Sequence, residues 1–291
     1  SSEFLPSACG AAGACPASWL LAAALILPPS VLLGTTFPLM TAGVIRLGVA
    51  PGRSLSLLYF LNSAGAAIGV LVSGFVLIAA LGLPGTLLFA GCCNVAVAVA
   101  AWLADTTQKV PAAPLARSAP AGRAAPDLWL LLAVAAITGL SSFIYEVVWI
   151  RLLTLVLGAA THSFELMLAP FIFGLAVGAW LIRHRIDTTH RPILLLAAIQ
   201  VAMGVLAVAT LPLYDASFDG MSLALKALAR NDQAYFLFNT GSGLLAAAVM
   251  LPASICAGMT LPIITSILLR NGGGERQVGQ VYGVNTLGAI V

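Results

Sequence analysis

From Leu55 to Ala104 the chain carries no Asp, Glu, Lys or Arg. Such a stretch is too long for one buried core helix and long enough to cross a bilayer, which takes about 20 apolar residues. The apolar runs are continuous rather than alternating. In lipid, backbone groups must be satisfied within a helix or a closed barrel, so continuous runs point to helices. Over all 291 residues 60% are hydrophobic and 8% charged, where a soluble domain carries about 25% charged residues. That balance excludes a soluble enzyme. Thirteen Lys and Arg against ten Asp and Glu leave a net charge of +3, too small and too scattered for a nucleic-acid surface, and better read as membrane topology.

Apolar windows predict spans at Ser18–Ile45, Leu55–Leu81, Gly85–Ala104, Leu128–Leu157, Ser163–Ile182, Ile193–Leu213, Tyr235–Leu269 and from Val278 onward. The expected fold is therefore an all-α integral membrane protein of about eight transmembrane helices. Pro252 and Pro262 fall inside Tyr235–Leu269, which predicts one kinked helix or a helix followed by a short interfacial one. Between Asp105 and Asp127 runs a Pro/Ala-rich segment with Lys109, Arg117 and Arg123, read as a linker. It divides the chain into a membrane unit over 1–104 and a second over 128–291.

These units share an ordered pattern. PPSVLLGTTFPLMT at Pro28–Thr41 matches PASICAGMTLPIIT at Pro252–Thr265, aligning Pro28, Ser30, Gly34, Thr36, Pro38 and Thr41 with Pro252, Ser254, Gly258, Thr260, Pro262 and Thr265. YFLNSAGAA from Tyr59 matches YGVNTLGAI from Tyr282, aligning Tyr59, Asn62, Gly65 and Ala66 with Tyr282, Asn285, Gly288 and Ala289. Two blocks at nearly one offset indicate an internal duplication. An even number of spans separates the matching points, so the copies face the same way. This is the parallel relation between the halves of major-facilitator transporters. On a count of six helices per repeat, the first repeat lacks its N-terminal half and the second lacks its end. The absence of an initiator Met and the stop at Val291 inside an apolar segment fit a piece of a longer protein.

Arg183, Arg185 and Arg191, together with Arg46, Arg53, Arg270, Arg276 and the linker bases, fall at loops of one parity, cytoplasmic by the positive-inside rule. Ser1–Ala17, the Gly82–Pro84 turn and the acidic Tyr214–Gln233 stretch fall on the other, periplasmic or external side. Lys226 and Arg230 are exceptions there, on a stretch whose Met221, Leu225 and Leu228 suggest a surface-lying helix. The pattern suits the inner (cytoplasmic) membrane of a bacterium.

An ionisable group within a bilayer costs about 2.5 to 3.5 kcal/mol on insertion scales, so intramembrane acids are functional candidates. Glu146 and Glu165 qualify. Glu146 lies five residues before Arg151, and Glu165 lies three after His162, on one face of the next helix. One reading is an acidic, externally open pocket that holds a cation or relays a proton. The other is a Glu146–Arg151 pair that fixes packing. Asn62 and Asn285, at matching places in the two copies, either line a cavity or serve close helix packing. Asn94, Gln200 and Asn239 are single polar residues without an evident partner, and Gly174 with Gly178 form a GxxxG pair. Cys9 and Cys15 are a candidate disulfide pair in an oxidising compartment, though spacing alone does not set pairing. Cys92, Cys93 and Cys256, inside apolar runs, read as small buried hydrophobes. NGGGERQ from Asn271 joins two spans instead of following a strand, so it is no nucleotide-binding turn. The sequence offers no metal-ligand spacing, no phosphate loop and no call for a cofactor.

FIYEVVWIRLLTLVLG from Phe143, GLAVGAWLIRHRID from Gly174, AGMTLPIIT from Ala257 and VGQVYGVNTLGAIV from Val278, in that order, resemble the membrane part of the fused major-facilitator/spermidine-synthase-like proteins of bacteria. The resemblance implies a helical membrane region that precedes a soluble aminopropyltransferase-like domain, and a polyamine connection. The motifs of that soluble domain are not in this sequence. The resulting expectation is a non-catalytic membrane module, an anchor or accessory subunit whose partners are the bilayer and other membrane subunits or further parts of the same chain. Two alternatives stand beside it: a transporter of a cationic amine such as a polyamine, and the membrane part of an aminopropyltransferase.

Overall fold

A computed structural model describes residues 16–46, 51–107, 128–157, 162–227, 232–271 and 274–290. The order is α1 (Pro16–Arg46), α2 (Pro51–Val72), a π-helical turn (Ser73–Leu77), α3 (Ile78–Thr107), α4 (Leu128–Leu157), α5 (Ser163–Ile182), α6 (Pro192–Ala227), α7 (Asp232–Arg270) and α8 (Glu275–Ile290). Among the described residues there is no strand.

Among the described residues six runs are long and apolar enough to cross a membrane, and one of them, Gly52–Ala104, is longer than a single crossing. It kinks at Gly82, whose φ of 65° and ψ of 177° break the helical run of α3. Glycine takes that backbone conformation without a Cβ penalty, and Pro84 two residues later cannot donate to the helix before it. The turn expected at Gly82–Pro84 is thus a break within the helix. With 16 residues, α8 falls short of the length that spans a bilayer by itself. The described helices therefore support a multi-pass helical membrane protein.

Pro252 and Pro262 stay within one helix, α7, with no separate interfacial piece. Met221 and Leu225 of the stretch expected as a surface-lying helix belong to the end of α6, which runs to Ala227, and Leu228 and Arg230 lie outside the described residues. Cys9, Cys15 and the linker bases lie outside the described residues.

The interior is built around α7. It packs along α5, with α6 on another side. Small residues set the approach, as expected where lipid removes any hydrophobic drive between helices. A side chain at Gly174 would strike the Ser254 hydroxyl, one at Gly178 the Ile255 carbonyl, and one at Gly258 the backbone of Leu175. On another seam, α4 crosses α8 with Gly139 over the Asn285 carbonyl and Gly288 over that of Ala136. Helix α6 is tied to α4 by polar bonds. Trp149 Nε1 donates to Thr210 Oγ1 at 3.1 Å, and Gln200 Nε2 donates to Thr138 Oγ1 at 2.7 Å.

The sequence-matched helices cross-contact: α1 touches both α2 and α8, and α7 touches both α8 and α2. Their surroundings differ. Gly258 on α7 is pressed against α5, whereas Gly34, its match on α1, has nothing within 4 Å. Leu20, Leu25 and Leu32 of α1, and Leu87, Leu88 and Val97 of α3, are exposed. Cys92 and Cys93 lie on that exposed α3, which corrects the expectation that they are buried; Cys256 on α7 is buried.

Candidate functional site

The site is framed by α2 and α5, which run antiparallel over the thickness of a membrane. At one end Gly52 sits against Asp187 and Ile186; at the other Gly74 sits against Glu165. From Gly52 to Gly74 the helix rises about 33 Å, close to the roughly 30 Å of a hydrocarbon core. The first end is basic. The Arg53 backbone N–H donates to Asp187 Oδ2 at 2.8 Å, and Arg270 donates to the Ile186 and Thr189 carbonyls at 2.5 and 3.1 Å. The arginines at 53, 183, 185, 191 and 270 thus gather at one end of the bundle.

Halfway along this frame, at the level of Leu175, lies a cavity of about 160 Å³. Helix α4 contributes Thr138, Ser142 and Glu146, α2 contributes Tyr59 and α8 contributes Asn285; Phe171, Leu175 and Leu261 form apolar walls. The chain forms it there because the glycine crossings bring α8 close to α4 and α7 close to α5, while the larger Tyr59 and Phe171 hold the walls apart. Glu146 is half-buried and supplies a carboxylate near the middle of α4. Around it, Tyr59, Ser142, Thr138 and Asn285 offer hydroxyls and an amide that both donate and accept. Such a lining suits a small cation that carries N–H donors, or a proton.

A wider groove of about 730 Å³ borders the cavity at Tyr59. It lies between α1, α2 and α8, and Gly34, Phe37, Asn62 and Tyr282 line it. Phe37 is packed between the two matched tyrosines, 5.8 Å from Tyr59 and 4.7 Å from Tyr282 between ring centroids.

The structure brings together only some of the residues singled out by sequence. Glu146 and Asn285 share the cavity, whereas Asn62 lines the groove and is exposed. Arg151 is exposed on α4. His162 and Glu165 stand apart from the cavity, on the first turn of α5, where Glu165 lies on Gly74 and the imidazole stacks on Phe75 at 4.4 Å. The single acidic pocket expected from Glu146 and Glu165 is thus two places at different depths. Asn285 lines the cavity, and its carbonyl sits under Gly139. Sequence reasoning missed Tyr59, Thr138 and Ser142 as cavity residues. The matched Tyr59/Tyr282 pair was a usable signal; the two hydroxyls on α4 carried none.

Among the described residues no three His, Cys, Asp or Glu side chains group as a metal site. No protein-family model, curated protein or solved structure matches this chain.

Proposed function

We propose that this chain is a helical membrane module that works inside a larger membrane assembly, as an anchor or accessory subunit. The observation that carries this reading is the contrast between Gly34 and Gly258. The same small-residue block that is covered by α5 on α7 stands open on α1, and small residues on a membrane helix allow the close approach of another helix. The resemblance to the membrane part of fused spermidine-synthase-like proteins favours the same reading.

The test is the mass of the native complex in membranes extracted without denaturation. Wild type is expected well above the 29.8 kDa of this chain, and Gly34→Leu is expected to release the complex. An assembly that is unchanged by a large side chain at Gly34 removes the reading.

A second reading is transport of a cationic amine, favoured by the position of Glu146. An acid at mid-membrane, in a cavity lined by helices of both sequence units, is the place where secondary transporters bind their substrates. Vesicle flux of labelled putrescine, lost in Glu146→Gln, supports it; undiminished flux sinks it.

A further inference from the structure

Helix α5 touches both α7 and α2. Exchanging the sequence-matched helices, α1 for α7 and α8 for α2, turns that place into one against α1 and α8. There the molecule has the groove of about 730 Å³ between α1, α2 and α8. The same exchange carries other contacts over. Helix α7 touches α2 as α1 touches α8, and α7 touches α8 as α1 touches α2. Only the helix that plays the part of α5 has no counterpart among the described residues.

Matched residues differ in cover accordingly. Ser254, Gly258 and Thr260 of α7 are buried, while Ser30, Gly34 and Thr36 of α1 are exposed. Ser63 of α2 is buried, while Thr286, which stands at the same offset from it as Tyr282 from Tyr59, is exposed on α8. A Cβ at Gly258 would strike the Leu175 backbone of α5, whereas one at Gly34, Gly279 or Gly283 would meet nothing within 4 Å. Gly279 and Gly283 line the groove four residues apart on α8, the spacing at which small residues let a second helix backbone come close. The hydroxyls of Thr36 and Thr286 already donate to the Leu33 and Tyr282 carbonyls of their own helices, at 2.6 and 2.9 Å. No charged side chain is among the residues that line the groove, so its walls favour an apolar occupant, with Asn62 able to hydrogen-bond a neighbouring helix.

We infer that this groove is a helix slot, filled by a transmembrane helix of another subunit that carries two small residues four positions apart, as α5 carries Gly174 and Gly178. The inference rests on the module reading and names the chemistry of the partner which that reading requires. Helix α5 of a second copy does not fit, because Gly174 and Gly178 are already closed on Ser254 and Ile255 of their own α7. A segment from the aqueous phase does not fit either, because the rim of the groove is formed by exposed apolar side chains, Leu33 and Leu287.

The experiment places a photoreactive benzoylphenylalanine at position 33 or 287 of the full chain, irradiates native membranes and identifies the adduct by mass spectrometry. Both positions are expected to reach one membrane segment of one other protein, with Gly, Ala or Ser at two places four apart in it. Gly34→Leu is expected to lose the adduct. Adducts of lipid alone, of a second copy of this chain, or of a segment without the small pair overturn the proposal. A native complex well above 29.8 kDa that gives only such adducts leaves the module reading standing. If the chain runs alone, the module reading falls, and the slot is decided with a defined probe. That probe is a synthetic peptide of Ser163–Ile182 flanked by lysines, added to the purified chain in nanodiscs. Position 287 is expected to capture the peptide and not its Gly178→Leu version. Absence of capture, or equal capture of both peptides, overturns the slot.

Discussion

Tyr59 of α2 and Tyr282 of α8, aligned with each other in the sequence, sit on one shared ring, Phe37 of α1, at centroid distances of 5.8 and 4.7 Å. Phe37 is 9% exposed, on a helix whose other large apolar side chains are mostly open. This aromatic trio therefore helps attach α1 to the rest of the bundle. Removing a buried phenylalanine costs about 3 to 5 kcal/mol in a well-packed core, and the partly open groove places Phe37→Ala at the low end. The expected result is detachment of α1, read as faster proteolysis between α1 and α2 in detergent, with the α4–α8 part of the molecule unaffected. Tyr282→Phe keeps the ring and is expected to behave like wild type in that assay.

The matched glycines make a paired test. At Gly258 a side chain meets the Leu175 backbone, which cannot move without parting α7 from α5. Overpacking of this kind costs about 1 to 3 kcal/mol, sometimes more. Gly258→Ala is expected to lower the thermal midpoint of the purified protein in detergent. Gly34→Ala is expected to leave it unchanged, because nothing lies within 4 Å of that position. Equal effects at the two sites would mean that α1 is covered as tightly as α7.

Much of this architecture was legible before any coordinates. Charge-free runs gave the long apolar helices though not their number as spans, and Gly82–Pro84 gave the break within α3, because glycine and proline act through their own backbone chemistry. The GxxxG pair on α5 also ends where small residues belong, against α7. What local pattern does not carry is which face of a uniformly apolar helix meets which neighbour. In α4 and α7 every side of the helix is hydrophobic, so no stripe announces that Thr138, Ser142 and Glu146 share a cavity with Tyr59. For the same reason the sequence alone does not separate Glu146 from Glu165. They sit on consecutive helices, but Glu165 lies on the α2 seam against Gly74 while Glu146 lines the cavity. Cys92 and Cys93 lie exposed although they sit in an apolar run, because in a membrane protein an apolar run says nothing about burial within the protein.

At the basic end, Arg270 closes the loop after α5 onto the end of α7. Its Nη1 and Nη2 reach two different carbonyls, Thr189 and Ile186, a forked geometry that a lysine ammonium does not reproduce. Hydrogen bonds from a charged donor contribute about 1.5 to 3 kcal/mol, and the exposure of Arg270 puts this one at or below the lower figure. Arg270→Ala and Arg270→Lys are both expected to raise hydrogen exchange of the Thr188 and Thr189 amides. An effect of Ala that Lys restores would mean that charge, and not the fork, holds the loop.

Glu146 separates a functional acid from a structural one. A carboxylate at mid-membrane is costly, and a neutral amide of the same shape relieves that cost while keeping most of the cavity's hydrogen bonds. If Glu146 serves to bind a cation, Glu146→Gln keeps or raises thermal stability and abolishes binding of a small amine. If instead it anchors the packing of α4, the same change lowers stability and exposes the cavity. The measurement is thermal unfolding of both proteins in detergent, with and without a millimolar alkylamine. Wild type is expected to gain stability from the amine in proportion to the logarithm of its concentration above the dissociation constant. Glu146→Gln is expected to start at least as stable and to gain nothing. A variant that melts lower than wild type and still responds to the amine would move the acid from the binding role to the structural one.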